Sequence, residues 1–528
     1  MKQSIMTVAG ILIMALFSSV LVFAGGSSEA DVSEPEDDVI VVNFWDWNNM
    51  YGYIDTEHPY SKFFAERFGI AFEGPLVPWN GGVDYLQQLR VRIAADEVPD
   101  VFYPYQGIEQ ELAENDVIRS LEGLVQKHMP VYYKNVPEKL WSFVRAQSPS
   151  GTEIYFLPEY NSSPYGGHIR GDWLDRVGME VPTTIEEYVD VLRAFRDQDA
   201  NGNGDPNDEI PTSAREFARW MDHHFAPFGI AMVEGYPAWD IYDGKIQYSA
   251  VQPNMKEALA WIRDLYAEGL LDPESFTNTY QIWMAKIADD KVGAWFHGTH
   301  TSADRFNPIY DGGNKNVRFE YLPALKAQGY EPFYTSYAYR YPVVVISSDL
   351  SEEGTIRMLK VYEFLNDPAN TGFFLLDGIE GYNYTVNNGK KVYLPESDWI
   401  RQSGGYRPGL GRSLYGNSDV HITRLEFLRD LAIENGIERD RLANENAIRL
   451  VRGWANDNVR DHAGMFVPTN IYDGYPDLKA HKLYQEYASR IIVGEWDIDR
   501  FDEFVELWYE RGGDVITKRA QEAYAILK

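Results

Sequence analysis

The feature that most constrains this chain is the repeated alternation of short β-branched runs with amphipathic stretches. Val39-Ile40-Val41-Val42-Asn43-Phe44 reads as a strand, 60–68 as a helix stopped at Gly69, and Ile70-Ala71-Phe72 as a second strand. Residues 84–95 then carry apolar residues at helical spacing, and Pro99-Asp100-Val101-Phe102 closes a third short strand. Further helices are expected after Thr184, with Glu186 and Glu187 in the first turn, and over 255–268, 355–366 and 499–512. Strand and helix in alternation predict an α/β fold with largely parallel sheets. At 528 residues the chain is long enough for two lobes, each with its own core.

The amino terminus reads as an address. Lys2 precedes an apolar run from Ile5 to Phe23, and Val22 and Ala24 stand at −3 and −1 of a cleavage after Ala24. Residues 1–24 are therefore expected to be a signal peptide, followed by a small acidic leader over 25–38. There is no cysteine. This excludes disulfides, thiolate chemistry and Cys-ligated metals, and it leaves no lipid attachment point at the cleavage site. A mature protein that is exported and untethered is expected in a periplasm. With 80 Asp+Glu against 48 Lys+Arg, the formal charge is −32, which argues against nucleic acid as a partner.

Catalytic signatures are missing. There is no Gly-x-Ser-x-Gly, Walker A, Gly-x-Gly-x-x-Gly after a strand, or His-Glu-x-x-His. The adjacent pair His223-His224 reads as structural. The sharpest local motif is Asp197 to Pro211, DQDANGNGDPNDEIP. Asp199, Asn201 and Asn203 offer an oxygen at every second residue, Gly204 allows a turn, Asp205 would supply a carbonyl, and Asp208 or Glu209 would close the site. This is the pattern of a structural calcium loop; the alternative is a solvated Asn/Gly turn.

Several segments together resemble extracellular solute-binding proteins of family 1, which deliver sugars to ABC importers. They are Gly171-Asp172-Trp173-Leu174-Asp175-Arg176-Val177-Gly178, Val181-Pro182-Thr183-Thr184, the Asn/Gly loop, Gly378 to Tyr384, and the tail from Ile491-Ile492-Val493-Gly494-Glu495 to Gly512-Gly513. The branch with this loop includes alginate-binding proteins. The resemblance implies two α/β lobes of the periplasmic binding protein type, joined by several hinge crossings with the ligand between them. It also implies calcium ligands at Asp199, Asn201, Asn203, Asp205, Asp208 and Glu209, although this loop is one residue longer than the common form before the closing acids. The expected division is 39–160 and 311–375 in the first lobe, and 161–310 (with the loop at 197–211) and 376–528 in the second.

Sugar rings present C–H faces that aromatic side chains cover and hydroxyls that polar side chains bind. The chain has 14 Trp, 36 Tyr and 26 Phe, more than a core ordinarily needs. Those expected in loops at strand ends are Trp45, Trp47 with Asn48, Trp79, Tyr105, Tyr160, Trp239, Trp283, Trp295 with His297, Tyr337 with Arg340, and Glu380 with Tyr382. They suggest a long cleft for an oligosaccharide, no catalysis, a membrane permease as partner, and a monomer. A secreted carbohydrate-active hydrolase or lyase, or a carrier of peptides or other polar solutes, would share the aromatics.

Overall fold

The computed structural model describes residues 38–45, 55–75, 83–104, 107–160, 163–336, 344–370, 379–382, 384–393 and 418–525. The expected site residues Trp47, Asn48, Trp79, Tyr105, Tyr337 and Arg340, and the leader up to residue 37, lie outside them.

Two four-stranded sheets organise the chain. In the first, β1 (Ile40–Trp45) lies between β2 (Ile70–Glu73) and β3 (Val101–Phe102), parallel to both. The second holds β4 (Tyr165–Arg170), β5 (Ile210–Thr212), β6 (Val292–Gly298) and β7 (Phe319–Leu322), in the order β7-β4-β6-β5. The late strand β8 (Val345–Ile346) returns to the first sheet, antiparallel to β3. The α/β class is as expected, but the second sheet is largely antiparallel, with only β5 and β6 parallel. The reason is the path of the chain: it enters this sheet through β4 and runs back beside β4 in β6 and again in β7.

Residues 319–322, assigned from sequence to the first lobe, thus belong to the second sheet. Phe319 packs edge-on to Trp295 at 5.1 Å between ring centres, and both are fully buried. The return to the first sheet falls between Leu322 and Val344.

Each sheet carries its own core. The first gathers Val42, Phe44, Phe64, Phe72, Trp141 and Val345 among others; the second gathers Trp173, Tyr188, Phe195, Ile262 and Trp508. Much of the aromatic surplus is spent here: Trp141, Trp173, Trp283 and Trp295 are fully buried. Local signals hold well. The helix Ile185–Asp197 begins at Thr184 with a complete capping box through Glu187. The helix expected over 499–512 instead stops at Trp508, turns through Tyr509–Gly513 and restarts as Asp514–Ala525. Gly512 has φ 110°, and a Cβ there would fall 2.0 Å from the Tyr475 ring.

Besides a return from the first core to the second lobe somewhere between Leu365 and Ala443, three links between the cores can be placed among the described residues. Leu157 bridges Val344, so the outgoing and returning segments lie side by side at the edge of the first lobe. The third link is a short stretch in which Met465 and Phe466 belong to the first core, while Ala463 and Val467 belong to the second. Phe466 meets Phe143 edge-on at 6.0 Å.

Candidate functional site

The register of the second sheet defines one end of it as the hinge end. His297 and Gly298, at the carboxyl end of β6, pair with Gly166 and Tyr165, where the chain has just arrived from the first lobe. Leu322, from which the chain leaves again, pairs with Gly167. An aromatic cluster is built at this end.

Its centre is His297, which stacks on Trp220 (ring centres 5.3 Å apart, planes 27° apart) and on Trp283 (5.5 Å, 28°). Tyr165 leans on both Trp220 and His297, at 6.1 and 5.9 Å. The Arg215 guanidinium lies over three rings: Trp220 at 4.4 Å, Tyr280 at 5.1 Å and Trp283 at 5.4 Å. Glu216 pairs with Arg215 (2.5 Å) and Arg219 (3.3 Å) and accepts from the Trp220 indole at 3.4 Å. Burial, then the charges of Arg305 and Arg215, push His297 well below the usual histidine range, so its ring is neutral.

Trp220 reaches this place by an unusual backbone. Glu216, Phe217, Ala218 and Trp220 all have φ between 56° and 65°, a left-handed conformation that costs a non-glycine residue about 1–2 kcal/mol. The loop is held there from outside. The amides of Glu216, Phe217 and Ala218 donate to the carbonyls of Asn278, Phe276 and Ser275, at 2.9, 3.2 and 2.9 Å. Buried Asp272 anchors both sides, accepting from Ser213 (2.7 Å) and Asn278 (3.0 Å) and pairing with Lys286 (2.8 Å). Gly235 lies directly behind the loop: a Cβ there would sit 2.4 Å from the Trp220 amide nitrogen. Strain held by so many external contacts is characteristic of binding and catalytic loops. Phe217, at the tip, is 62 % exposed.

Of the expected site residues, the structure brings together Trp283 and His297. Trp283 is nonetheless fully buried in a core, as are Trp45, Trp239 and Trp295. Trp45 carries Arg92 at 5.3 Å, Trp239 donates to the Tyr472 hydroxyl at 2.8 Å, and Trp295 stacks on His168 at 5.4 Å. Each lies in or next to a strand that is paired and covered, which a loop reading does not foresee. In the first lobe, Tyr160 is half-buried against Tyr132, and Tyr382 packs on His58 and Tyr60. Glu380 is exposed. Trp220, Arg215 and Tyr280 escape a sequence reading; the only signal was the Arg-x-x-x-x-Trp spacing before His223, which is too common to single out.

The loop after Asp197 has a different character. The Asn201 and Asn203 side chains donate to Asp208 (2.9 and 3.1 Å), Asp199 accepts from the Gly204 amide (3.0 Å), and Asp205 is exposed. Lys291 stands 3.6 Å from Asp208. Asp199 Oδ1 and Glu209 Oε2 are buried without a partner, and burial pushes the Glu209 carboxyl up. Among the described residues no three Asp, Glu or His side chains converge as a metal-binding group. Any cation there must also draw on amide and backbone oxygens. Orphaned carboxylate oxygens beside such oxygens suit a hard cation.

No protein-family model matches the chain. Among curated proteins it is 30 % identical to the fructooligosaccharide ABC transporter substrate-binding protein FusA of Streptococcus pneumoniae over 257 residues, 45 % of this chain and 47 % of that one. The chain thus matches about half the length of FusA. It is 23 % identical to the lipoprotein LipO of Bacillus subtilis over 372 residues, 67 % of this chain and 68 % of LipO. Solved structures share the fold over nearly the whole chain. A human-milk-oligosaccharide (HMO)-binding solute-binding protein associated with an ABC transporter, from Bifidobacterium longum infantis, superposes with a TM-score of 0.69 at 18 % identity, covering 93 % of this chain and 99 % of that one. The alginate-binding protein AlgQ2, described without calcium ion, gives 0.63 at 17 %, with the same coverage. A FusA EF-hand mutant in complex with fructo-nystose gives 0.64 at 19 %, covering 92 % and 99 %. Among the described residues no helix is long and apolar enough to cross a membrane. The chain is thus similar in sequence, over about half its length, to a substrate-binding protein of an ABC transporter, and it shares the fold of such proteins nearly throughout.

Proposed function

We propose that this protein captures an oligosaccharide between its two lobes and passes it, chemically unchanged, to the membrane subunits of an ABC importer. The observation that carries this reading is the His297 cluster at the hinge end of the second sheet: the half-buried imidazole at the end of β6, stacked on the indole that a strained loop holds against it. Stacked rings match the C–H faces of pyranose or furanose units, and the neighbouring arginines donate to hydroxyls. A neutral His297 is a ring to stack on and a hydrogen-bond partner, without a charge to desolvate. The lobes close by rotation about the links between them, which would bring the carboxyl ends of β1 and β3 towards this cluster.

The remaining parts follow from the same reading. The protein is exported, cleaved after Ala24 and retained in a periplasm without a lipid. A structural calcium is held by Asp199, Asn201, Asn203, Asp208 and Glu209 with the Asp205 carbonyl; it would neutralise the two orphaned carboxylate oxygens and pin the end of the Ile185–Asp197 helix.

The test is titration of the mature protein with neutral and charged oligosaccharides, following tryptophan fluorescence and thermal melting. A ligand at a hundredfold excess over its dissociation constant adds about 2.7 kcal/mol to stability. Recovery of the intact sugar afterwards supports the reading. Shorter products would establish an enzyme, and binding of peptides alone would replace the ligand class.

A further inference from the structure

Two of the links leave the second lobe side by side. Tyr334 and Thr335, on the segment that returns to the first lobe, pair in parallel with Val459 and Arg460, which lead into the third link. The Tyr334 amide donates to the Asn458 carbonyl (2.9 Å) and the Ser336 amide to the Arg460 carbonyl (2.8 Å). A two-stranded ribbon this short is marginal by itself, so its direction depends on what packs against it.

What packs against it is a hairpin of the second lobe, Trp239–Tyr242 paired with Lys245–Tyr248. The hairpin has a firm base. Trp239, Ile246 and Tyr248 belong to the second core, and Tyr248 stacks on Trp508 with ring centres 5.4 Å apart and planes 18° apart. From this base it grips the chain at four points between Arg460 and Gly464. Asp240 Oδ2 accepts from Arg460 Nη2 at 2.6 Å, and Oδ1 accepts from the Ala463 amide at 3.2 Å. His462 Nδ1 lies 3.3 Å from the Trp239 carbonyl oxygen. A Cβ on Gly464 would fall 2.6 Å from that same oxygen, so the link runs directly against the hairpin. Arg460 also touches the returning segment, with its guanidinium carbon 3.6 Å from the centre of the Phe333 ring. One side chain thus staples the hairpin to both links. The grip ends at Gly464, and the next residue, Met465, already belongs to the first core.

The Asp240 side chain is 4 % exposed and that of Arg460 46 %. Such a pair is a weak source of stability once the desolvation of its buried partner is counted; its best-attested use is to select one geometry. Here the geometry is the direction in which two links leave a lobe.

We infer that Asp240 and Arg460 are positioning residues for ligand capture: they hold the returning segment and the third link as one unit and so limit how far the lobes stand apart before a ligand arrives. This rests on the capture reading above and adds what tunes its affinity. With the pair intact, a larger share of the ligand-free protein has the separation the ligand requires, and the apparent dissociation constant is the intrinsic one divided by that share.

The chain has no cysteine, so Glu66→Cys and Asp264→Cys, on exposed helical positions of the first and second lobes, place two spin labels uniquely. Distances between the labels are measured by pulsed electron resonance on the mature protein. Affinities are measured by calorimetry with kestose, maltotetraose and tetragalacturonate. Asp240→Asn keeps the shape and removes the charge. It should shift the ligand-free distances to a longer and broader distribution, leave the ligand-bound distance unchanged, and weaken binding about tenfold. If Asp240→Asn does not fold, Arg460→Lys, which keeps the charge but loses the flat contact with Phe333, should produce part of the same shift. Ligand-free distances identical to the parent's, or an unchanged affinity, overturn the inference even if the urea midpoint falls, as it would on loss of a merely structural pair. Failure of all three sugars to bind counts against the oligosaccharide reading, and the ligand-free distances then decide the role of the pair alone.

Discussion

Glu109 opens the short helix Glu109–Glu114 of the first lobe and is only 9 % exposed, with Oε2 buried and unpartnered. Burial pushes its carboxyl from the ordinary 4.5 up to about 7, and the charge it feels most is Lys479, on the second lobe. At about 1.4 kcal/mol per pH unit, that interval corresponds to about 3 kcal/mol. The sign is that of an acid raised by folding: the unfolded chain releases the proton near 4.5, the folded chain holds it to about 7. Stability therefore falls as pH rises through this window and levels off above it. Glu109→Gln removes the titration. It should leave stability nearly unchanged at pH 4 and raise it by about 3 kcal/mol at pH 8. Equilibrium urea unfolding of both proteins at the two pH values measures this directly. A gain at pH 8 no larger than that at pH 4 would refute the argument, because it would mean that Glu109 titrates alike in both states.

Three further outcomes are expected. Trp283→Ala, which empties a fully buried site beside His297, should cost about 3–5 kcal/mol in urea unfolding, and a loss under 1 kcal/mol would contradict its placement. Gly235→Ala forces a Cβ against the Trp220 and Arg219 backbones at φ 77°; it should weaken sugar binding more than tenfold, with the response to calcium retained. Chelation should lower the melting temperature and added calcium restore it, and an indifferent melting curve would remove the calcium proposal.

What could be read from the sequence is uneven, for physical reasons. The Thr184 cap and the helix after it were legible because capping is local: four residues suffice. The left-handed run at 216–220 was not, because Glu-Phe-Ala-Arg-Trp has no glycine to announce it; its conformation is imposed by carbonyls some sixty residues away. His297 was found as a ring near a strand end and is half-buried, but Trp295, two residues earlier, is covered by His168 and Phe319, and Trp283, on the helix Tyr280–Ala288, is fully buried. A strand buried on both faces has no polar alternation to separate the ring that packs from the ring that is displayed. The antiparallel course of the second sheet was hidden because crossing points leave no mark in composition.

The stretch from Ala463 to Val467 alternates between two cores within five residues. No sliding of one lobe past the other is compatible with that, since neither set of anchors can leave its socket. In the closure proposed above, the motion would be an arc with its fulcrum here. Displacement grows with the radius, so groups near Phe466 scarcely move while those at the far rim sweep widely. Small changes of packing around Phe143 and Phe466 would accordingly be magnified into the gape of the whole molecule.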